Sequence, residues 1–212
     1  MITLYHGSAG GIVGEIKPIS EEICDFGIGF YTATIKEYAM SSLIEEENDG
    51  SGFCYTLNID TDPLKVFSFD DDLEFWMLFT AYNRETIGNV DEYKKLKEKI
   101  DSLKQFDIIC GLIADDRSAY AFGRFLDGTM TDKCLIECIK YFDLGLQYVF
   151  KTKKACDSIK IAEKEIINGS QYNEAAHQKR MRIGKAQDIV SDLEKKYRRT
   201  GVYFDELLEE YR

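Results

Sequence analysis

The sequence predicts an α+β fold, and three observations carry that prediction. Short runs with period-two alternation, such as Phe53-Cys54-Tyr55-Thr56-Leu57-Asn58-Ile59, have the pattern of half-buried strands. Other stretches place apolar residues three and four apart, as in Ile183, Ala186, Ile189, Val190, Leu193 and Tyr197, which is helical spacing. The two kinds are interspersed without a strand-helix-strand rhythm, so a doubly wound parallel sheet is not expected.

Taken in order, Met1-Ile2-Thr3-Leu4-Tyr5 opens directly in a strand pattern that runs to His6. Gly7-Ser8-Ala9-Gly10-Gly11-Ile12-Val13-Gly14 superficially suggests a phosphate-binding loop, but it lacks the Lys-Ser/Thr pair, and Pro18 follows where a helix should begin. A glycine-punctuated turn, Asp25 to Gly29, leads into a strand over Phe30 to Ala33, and Lys36 to Ile44 has helical character. Glu45 to Gly52 reads as an acidic loop. Phe53 to Ile59 and, after Asp62-Pro63, Leu64 to Phe69 alternate as strands and are expected to be neighbours in the sheet. Asp70, Asp71 and Asp72 supply a helix N-terminus for a buried helix from Leu73 to Thr86, because carboxylates satisfy the free N–H groups and the dipole there. Asp91 to Lys104 is a polar surface helix with the thin stripe Tyr93, Leu96, Ile100 and Leu103.

Phe106 to Ala114 is the most hydrophobic stretch and reads as a central strand ending in Asp115-Asp116-Arg117. Thr131 caps a helix through Phe142, Leu146 to Thr152 is another strand, and a short element surrounds Ile159 to Ala162. From Asn168 onward the pattern is helical only, broken at Gly201 and ending in an amphipathic helix from Val202 to Tyr211. Residues 1–162 are therefore expected to form one domain and residues 163–212 a helical C-terminal extension.

Composition narrows the function classes. No apolar run approaches the length of about 20 residues that a membrane span needs. The N-terminus lacks the charged start and apolar centre of a signal peptide, so a cytoplasmic location is expected. The six cysteines form no CxxC pair, and with only His6 and His177 to assist them no metal site is expected. Cys134 and Cys138, one helical turn apart, read as small core residues. A net charge of −11 opposes binding nucleic acid by whole-surface attraction, although Lys179 to Arg199 is locally basic.

The chemistry concentrates in three short motifs. Leu4-Tyr5-His6-Gly7-Ser8 ends a strand in a histidine followed by a glycine, which exposes both of its backbone groups to a ligand. Phe26-Gly27-Ile28-Gly29-Phe30-Tyr31-Thr32-Ala33 sets a tyrosine beyond a glycine turn, and an aromatic face suits a flat cationic ring. Together they suggest a slot with one polar and one flat wall. The third motif is Gln147-Tyr148-Val149-Phe150.

In this order the motifs resemble those of the ADP-ribosyltransferase superfamily, in its His-Tyr-Glu branch, which includes poly(ADP-ribose) polymerases and diphtheria-type toxins. The chain also resembles a family of small uncharacterised bacterial proteins of that fold. The resemblance spans residues 1–162 and implies a split β-sheet core with flanking helices. It also implies NAD as substrate and no metal. Carried over, His6 would bond a ribose hydroxyl of NAD, the Gly7 backbone would grip the nicotinamide carboxamide, and Tyr31 would stack on the nicotinamide ring. Ser8, Gly29 and Phe30 would line the same site. The family's second stacking tyrosine, eleven residues after the first, is Ser42 here, and Tyr38 is its nearest substitute. Gln147 stands where the family has glutamate; an amide keeps a hydrogen bond but loses the charge that stabilises an oxocarbenium-like centre. Asp115 or Asp116 is a candidate to replace that charge, and Gln147→Glu is expected to raise NAD hydrolysis.

The resemblance thus implies a mono-ADP-ribosyltransferase acting on an intracellular protein or nucleic acid, of the toxin or phage-defence kind that a neutralising partner protein holds in check. The second reading is a non-catalytic NAD- or ADP-ribose-binding interaction module, for which Gln147 and Ser42 speak.

Overall fold

The structure is a computed structural model that describes residues 1–20, 23–45, 51–114 and 117–212. The elements in chain order are β1 (Ile2–Ser8), β2 (Phe30–Ala33), α1 (Lys36–Glu45), β3 (Gly52–Ile59), β4 (Val66–Ser68), α2 (Leu73–Asn83), α3 (Lys94–Ser102) and β5 (Ile108–Leu112). There follow α4 (Arg117–Leu126), α5 (Asp132–Phe142), β6 (Leu146–Phe150), α6 (Lys153–Asp157), β7 (Ile159–Ile167), α7 (Gly169–Tyr197) and α8 (Phe204–Glu209). The fold is α+β, with the described strands in one mixed sheet of order β4-β5-β6-β2-β1-β3-β7.

All neighbouring strands pair antiparallel except β4 with β5, which are parallel. A parallel pair needs a crossover, and α2 and α3 provide it. That crossover corrects one expectation: β3 and β4, consecutive in sequence, lie in opposite halves of the sheet. The stretch expected as a central strand is β5, second from one edge and buried between β4 and β6. The expected short element at Ile159 is β7, a nine-residue edge strand paired with β3 along its whole length. It crosses the expected boundary between residues 162 and 163.

The two faces of the sheet are covered differently. One carries the larger core, in which Ala33, Ile109 and Val149 of the sheet meet Phe75, Trp76, Leu78 and Phe79 of α2 and Phe122 and Phe125 of α4. Ala186 and Val190 of α7, with Phe204, Leu207 and Leu208 of α8, belong to that same core, so the C-terminal helices are part of the sheet's cover. On the other face Leu4, Phe30, Tyr55, Leu57, Ile59, Ile108 and Phe150 pack under α6 and under Ile12 and Ile16 of the coil after β1.

Local chemistry sets the helix starts, those at Asp72 and Thr131 as expected. Asp72 alone of its acidic triplet caps α2, its Oδ1 accepting from Phe75 N at 3.0 Å. Thr131 Oγ1 caps α5 through Cys134 N. Asn168 and Gln171 form a reciprocal capping box at the start of α7. The polar helix over 91–104 is broken into α3 between two 3-10 turns, and Leu96, Ile100 and Leu103 of its stripe are buried. All six cysteines are free, with Cys134 and Cys138 buried on one face of α5.

Candidate functional site

Three segments distant in sequence become neighbours in space, because β6, β2 and β1 lie side by side in the middle of the sheet with β2 between the other two. The join between β2 and β6 is regular: Tyr31 faces Val149 and Ala33 faces Gln147. The join between β1 and β2 registers at one pair, Tyr5 with Ala33. Continued, that register would set Gly7 opposite Tyr31, but the strands part there. Instead, the His6 imidazole crosses the seam, its Nδ1 lying 2.8 Å from the Tyr31 carbonyl oxygen. A carbonyl only accepts, so Nδ1 carries the hydrogen and Nε2 is left as an acceptor in the neutral ring. Burial holds the His6 pKa below its usual 6.5 against the opposing pull of that hydrogen bond, which keeps the ring neutral at pH 7.

Alternation along a strand decides which face each side chain takes. Tyr5, Ala33, Gln147 and Gly111 form one row across the sheet. Tyr5 and Tyr31 pack against the large core, while His6 stacks on Phe30, with ring centroids 4.3 Å apart, and lies 6.3 Å from Tyr55 on the other face. The side chains of His6 and Tyr31 therefore do not form two walls of one slot. What joins them is the hydrogen bond through the sheet's seam.

The Asp25 to Gly29 turn is clamped from below. The Tyr31 hydroxyl donates to Gly27 O at 2.7 Å and accepts from Phe26 N at 3.0 Å, and burial pushes its pKa far above the ordinary tyrosine value. Lys151 Nζ donates to Phe26 O at 2.6 Å, and desolvation brings its pKa down to about 8. Gly27 has a φ of +66°, which favours glycine. A Cβ on Gly29 would meet Val149 Cγ1 at 2.4 Å, so only glycine lets the turn lie this close to β6. Gly29 N donates to Ser20 Oγ at 3.2 Å, and Ser8 Oγ accepts from Gly11 N at 3.0 Å.

Gln147 is buried, at 7% exposure, and its amide is fully directed. Nε2 donates to Asp25 Oδ2 at 3.2 Å and to the Leu112 carbonyl at 3.1 Å. Asp25 in turn is paired with Arg84, whose Nε and Nη2 reach Oδ1 at 2.8 and 2.5 Å, and Ala114 N donates to Oδ2 at 3.3 Å. Arg84 also donates to Ala114 O at 3.0 Å and stands over the Phe122 ring. Sequence reasoning missed Asp25 and Arg84. Asp25 sits next to the glycine motif, yet nothing in a linear pattern pairs it with residues 59 and 122 positions away.

Other expected participants lie elsewhere. Arg182 of α7 stands 5.7 Å from the Tyr38 ring centroid and covers one of its faces. Asp115, Asp116 and the side chain of Ser42 are outside the described residues, as is most of the acidic loop at 45–52. Among the described residues no group of three or more His, Cys, Asp or Glu side chains is placed to hold a metal, and no helix is long and apolar enough to cross a membrane. Two surface cavities, of about 590 and 340 Å³, lie away from the motif strands. Glu74, Lys95, Lys99 and Tyr211 line the first, and Arg124, Thr131, Glu194 and Arg198 the second. Neither gathers the directed polar groups found at the β1–β2 seam, and chemistry outweighs volume in choosing the site.

A family model described as "Protein of unknown function (DUF3990)" matches residues 2–161, three quarters of the chain. The chain belongs to that family. The span matched by the DUF3990 model runs from β1 into β7 and takes in His6, Asp25, Tyr31, Arg84 and Gln147, whereas α7 and α8 lie beyond it. No curated protein and no solved structure matches the chain.

Proposed function

We propose that this protein is an NAD-dependent mono-ADP-ribosyltransferase acting on an intracellular macromolecule, built on a variant of the His-Tyr-Glu site with glutamine in third place. One observation carries the reading: the strands bearing His6, Tyr31 and Gln147 are adjacent in the middle of one sheet, although the motifs are spread over 150 residues. Two further observations agree with it. His6 Nε2 and Gln147 Oε1 are acceptors to which no described residue donates, and ribose hydroxyls are donors of the matching kind. The β1–β2 ladder is down to the single pair Tyr5–Ala33, so β1 has no registered β2 partner at Gly7, which stays in register with Cys54 of β3 on its other side.

In this reading His6 and Gln147 hold the two riboses of NAD, and transfer breaks the bond between nicotinamide and its ribose and forms a new one to the acceptor nucleophile. Tyr31 is the residue assigned to stack on the nicotinamide, and its hydroxyl holds the turn through Gly27 O and Phe26 N. Chain elongation is not expected, because activating a ribose hydroxyl needs a base and an amide supplies none. A second reading, an NAD- or ADP-ribose-binding module without turnover, draws support from the Asp25–Arg84 pair, which leaves little uncompensated negative charge beside Gln147.

Incubation with NAD labelled in the adenylate, with nicotinamide release and label transfer to protein and nucleic-acid fractions followed separately, tests the proposal. His6→Ala is expected to lower nicotinamide release at least 100-fold while the variant stays folded. Tight NAD binding with no release would move the assignment to the second reading, and the absence of both binding and release would end the NAD reading.

A further inference from the structure

We infer that Asp25 is the positioning residue of this site: it fixes the Gln147 amide so that Oε1 is the atom presented to a ligand, and it excludes glutamate from position 147. The inference deepens the function proposed above and rests on it.

The argument begins with the amide. Nε2 of Gln147 has two hydrogens and faces two acceptors, Asp25 Oδ2 at 3.2 Å and the Leu112 carbonyl at 3.1 Å. Turned end for end, the amide would set its oxygen against both, so one orientation alone satisfies the site. Oε1 is then directed away from both acceptors, and no described residue donates to it. Asp25 cannot swing aside to accept the other orientation. Its Oδ1 is gripped by two nitrogens of Arg84, and Oδ2 accepts from Ala114 N as well as from Gln147. Arg84 is fixed in turn by Ala114 O and the Phe122 ring.

The same geometry rules on glutamate. A carboxylate at position 147 in this rotamer would set an oxygen about where Nε2 stands, some 3 Å from a second carboxylate and from a carbonyl. Like charges at that separation in a buried setting cannot both persist, so the new carboxylate would take up a proton or the pair would separate. The charge-bearing member of the pair is Asp25. The glutamine at position 147 is thus its complement and not simply a lost acid, and the expectation that Gln147→Glu raises NAD hydrolysis is reversed for the single substitution.

Four proteins test this: wild type, Gln147→Glu, Asp25→Asn and the double variant. Each is compared by urea unfolding and by NAD binding in calorimetry, with nicotinamide release resolved into kcat and KM. At pH 7 Gln147→Glu is expected to lower the unfolding midpoint and to weaken NAD binding at least tenfold. Asp25→Asn destabilises the wild type, since it leaves Arg84 without its countercharge. Added to the Gln147→Glu variant, the same substitution has the opposite sign, raising both the midpoint and the NAD affinity, because an asparagine amide can donate to the new carboxylate. In the single Asp25→Asn variant the freed amide of Gln147 raises KM about tenfold with kcat changed less, which separates positioning from general destabilisation.

Additive midpoints, or a Gln147→Glu protein as stable as wild type, would overturn the inference. Wild type that binds no NAD would instead sink the proposed function and the ligand-facing part of this inference. The midpoints would still decide whether Asp25 and Gln147 act as a pair.

Discussion

The two faces of the sheet at the β1–β2 seam put the same short motifs to different uses. On one face Gln147 and Tyr31 lie beneath α2, α4, α7 and α8, and the Tyr31 hydroxyl, Gln147 Nε2 and the Asp25 carboxylate are each bound to a partner that is itself fixed. On the other face His6 lies among Phe30 and Tyr55 beneath coil and the short α6, held by one hydrogen bond to backbone. The first face is held by directed hydrogen bonds and the second mainly by aromatic and aliphatic packing. A ligand that engages His6 and Gln147 together has to use the seam, where the ladder between β1 and β2 is down to one registered pair.

The comparison breaks first where the hydrogen-bonded face loses its cover. Val190, Phe204, Leu207 and Leu208 are buried, and each such side chain contributes about 1.5–3 kcal/mol. Their combined share, about 6–12 kcal/mol on that scale, is comparable to the whole stability of an ordinary domain, about 5–15 kcal/mol. A chain truncated after Ile167 is therefore expected to lack a cooperative unfolding transition, although it retains every strand and the whole region matched by the family model. A folded truncated protein, seen by a sharp urea transition and dispersed NMR amides, would mean that the C-terminal helices are an appendage after all.

Tyr31→Phe asks for less. It keeps the ring in the core and removes only the hydroxyl that serves Gly27 O and Phe26 N. Leaving those backbone groups unsatisfied in a half-buried turn costs about 1–3 kcal/mol. Chemical unfolding should show a loss in that range, and hydrogen exchange should speed up at Phe26 and its neighbours but not in β6. Uniform acceleration across the sheet would mean that the turn is not a separately latched unit.

Much of the scaffold was legible in the sequence because it depends on local rules. Alternation marked β2 and β3, and the caps at Asp72, Thr131 and Asn168 are readable from side-chain chemistry within three residues. β7 was harder. As an edge strand it is exposed along most of its length, so Lys160, Glu163, Lys164 and Glu165 interrupt the apolar pattern that reveals a half-buried strand. The separation of β3 from β4 was invisible because a crossover through α2 and α3 leaves no mark on either strand. At the candidate site, His6, Tyr31 and Gln147 stood out as residue types. The partners of Gln147 did not, since the Asp25 carboxylate and, behind it, the Arg84 guanidinium come from a turn and a helix end whose meeting depends on tertiary register.

The smallest predicted effect belongs to the aromatic face and isolates His6. Its folded-state pKa is lowered, so the unfolded chain binds a proton at this residue more readily than the folded one does. Stability from this group is therefore present in full above the unfolded value of about 6.5 and is lost as pH falls below it toward the depressed folded value. Carboxylates add their own acid sensitivity at lower pH, so the measurement is a difference: unfolding free energies of wild type and His6→Asn between pH 8 and 5. Asparagine can keep a donor on the Tyr31 carbonyl through Nδ2, and it does not titrate. The gap between the two proteins should be constant from pH 8 to about 7, then shift against wild type as the pH falls through 6. A gap that stays flat would mean that water already reaches the imidazole well enough to carry its charge, and that this face is more open than its aromatic packing implies.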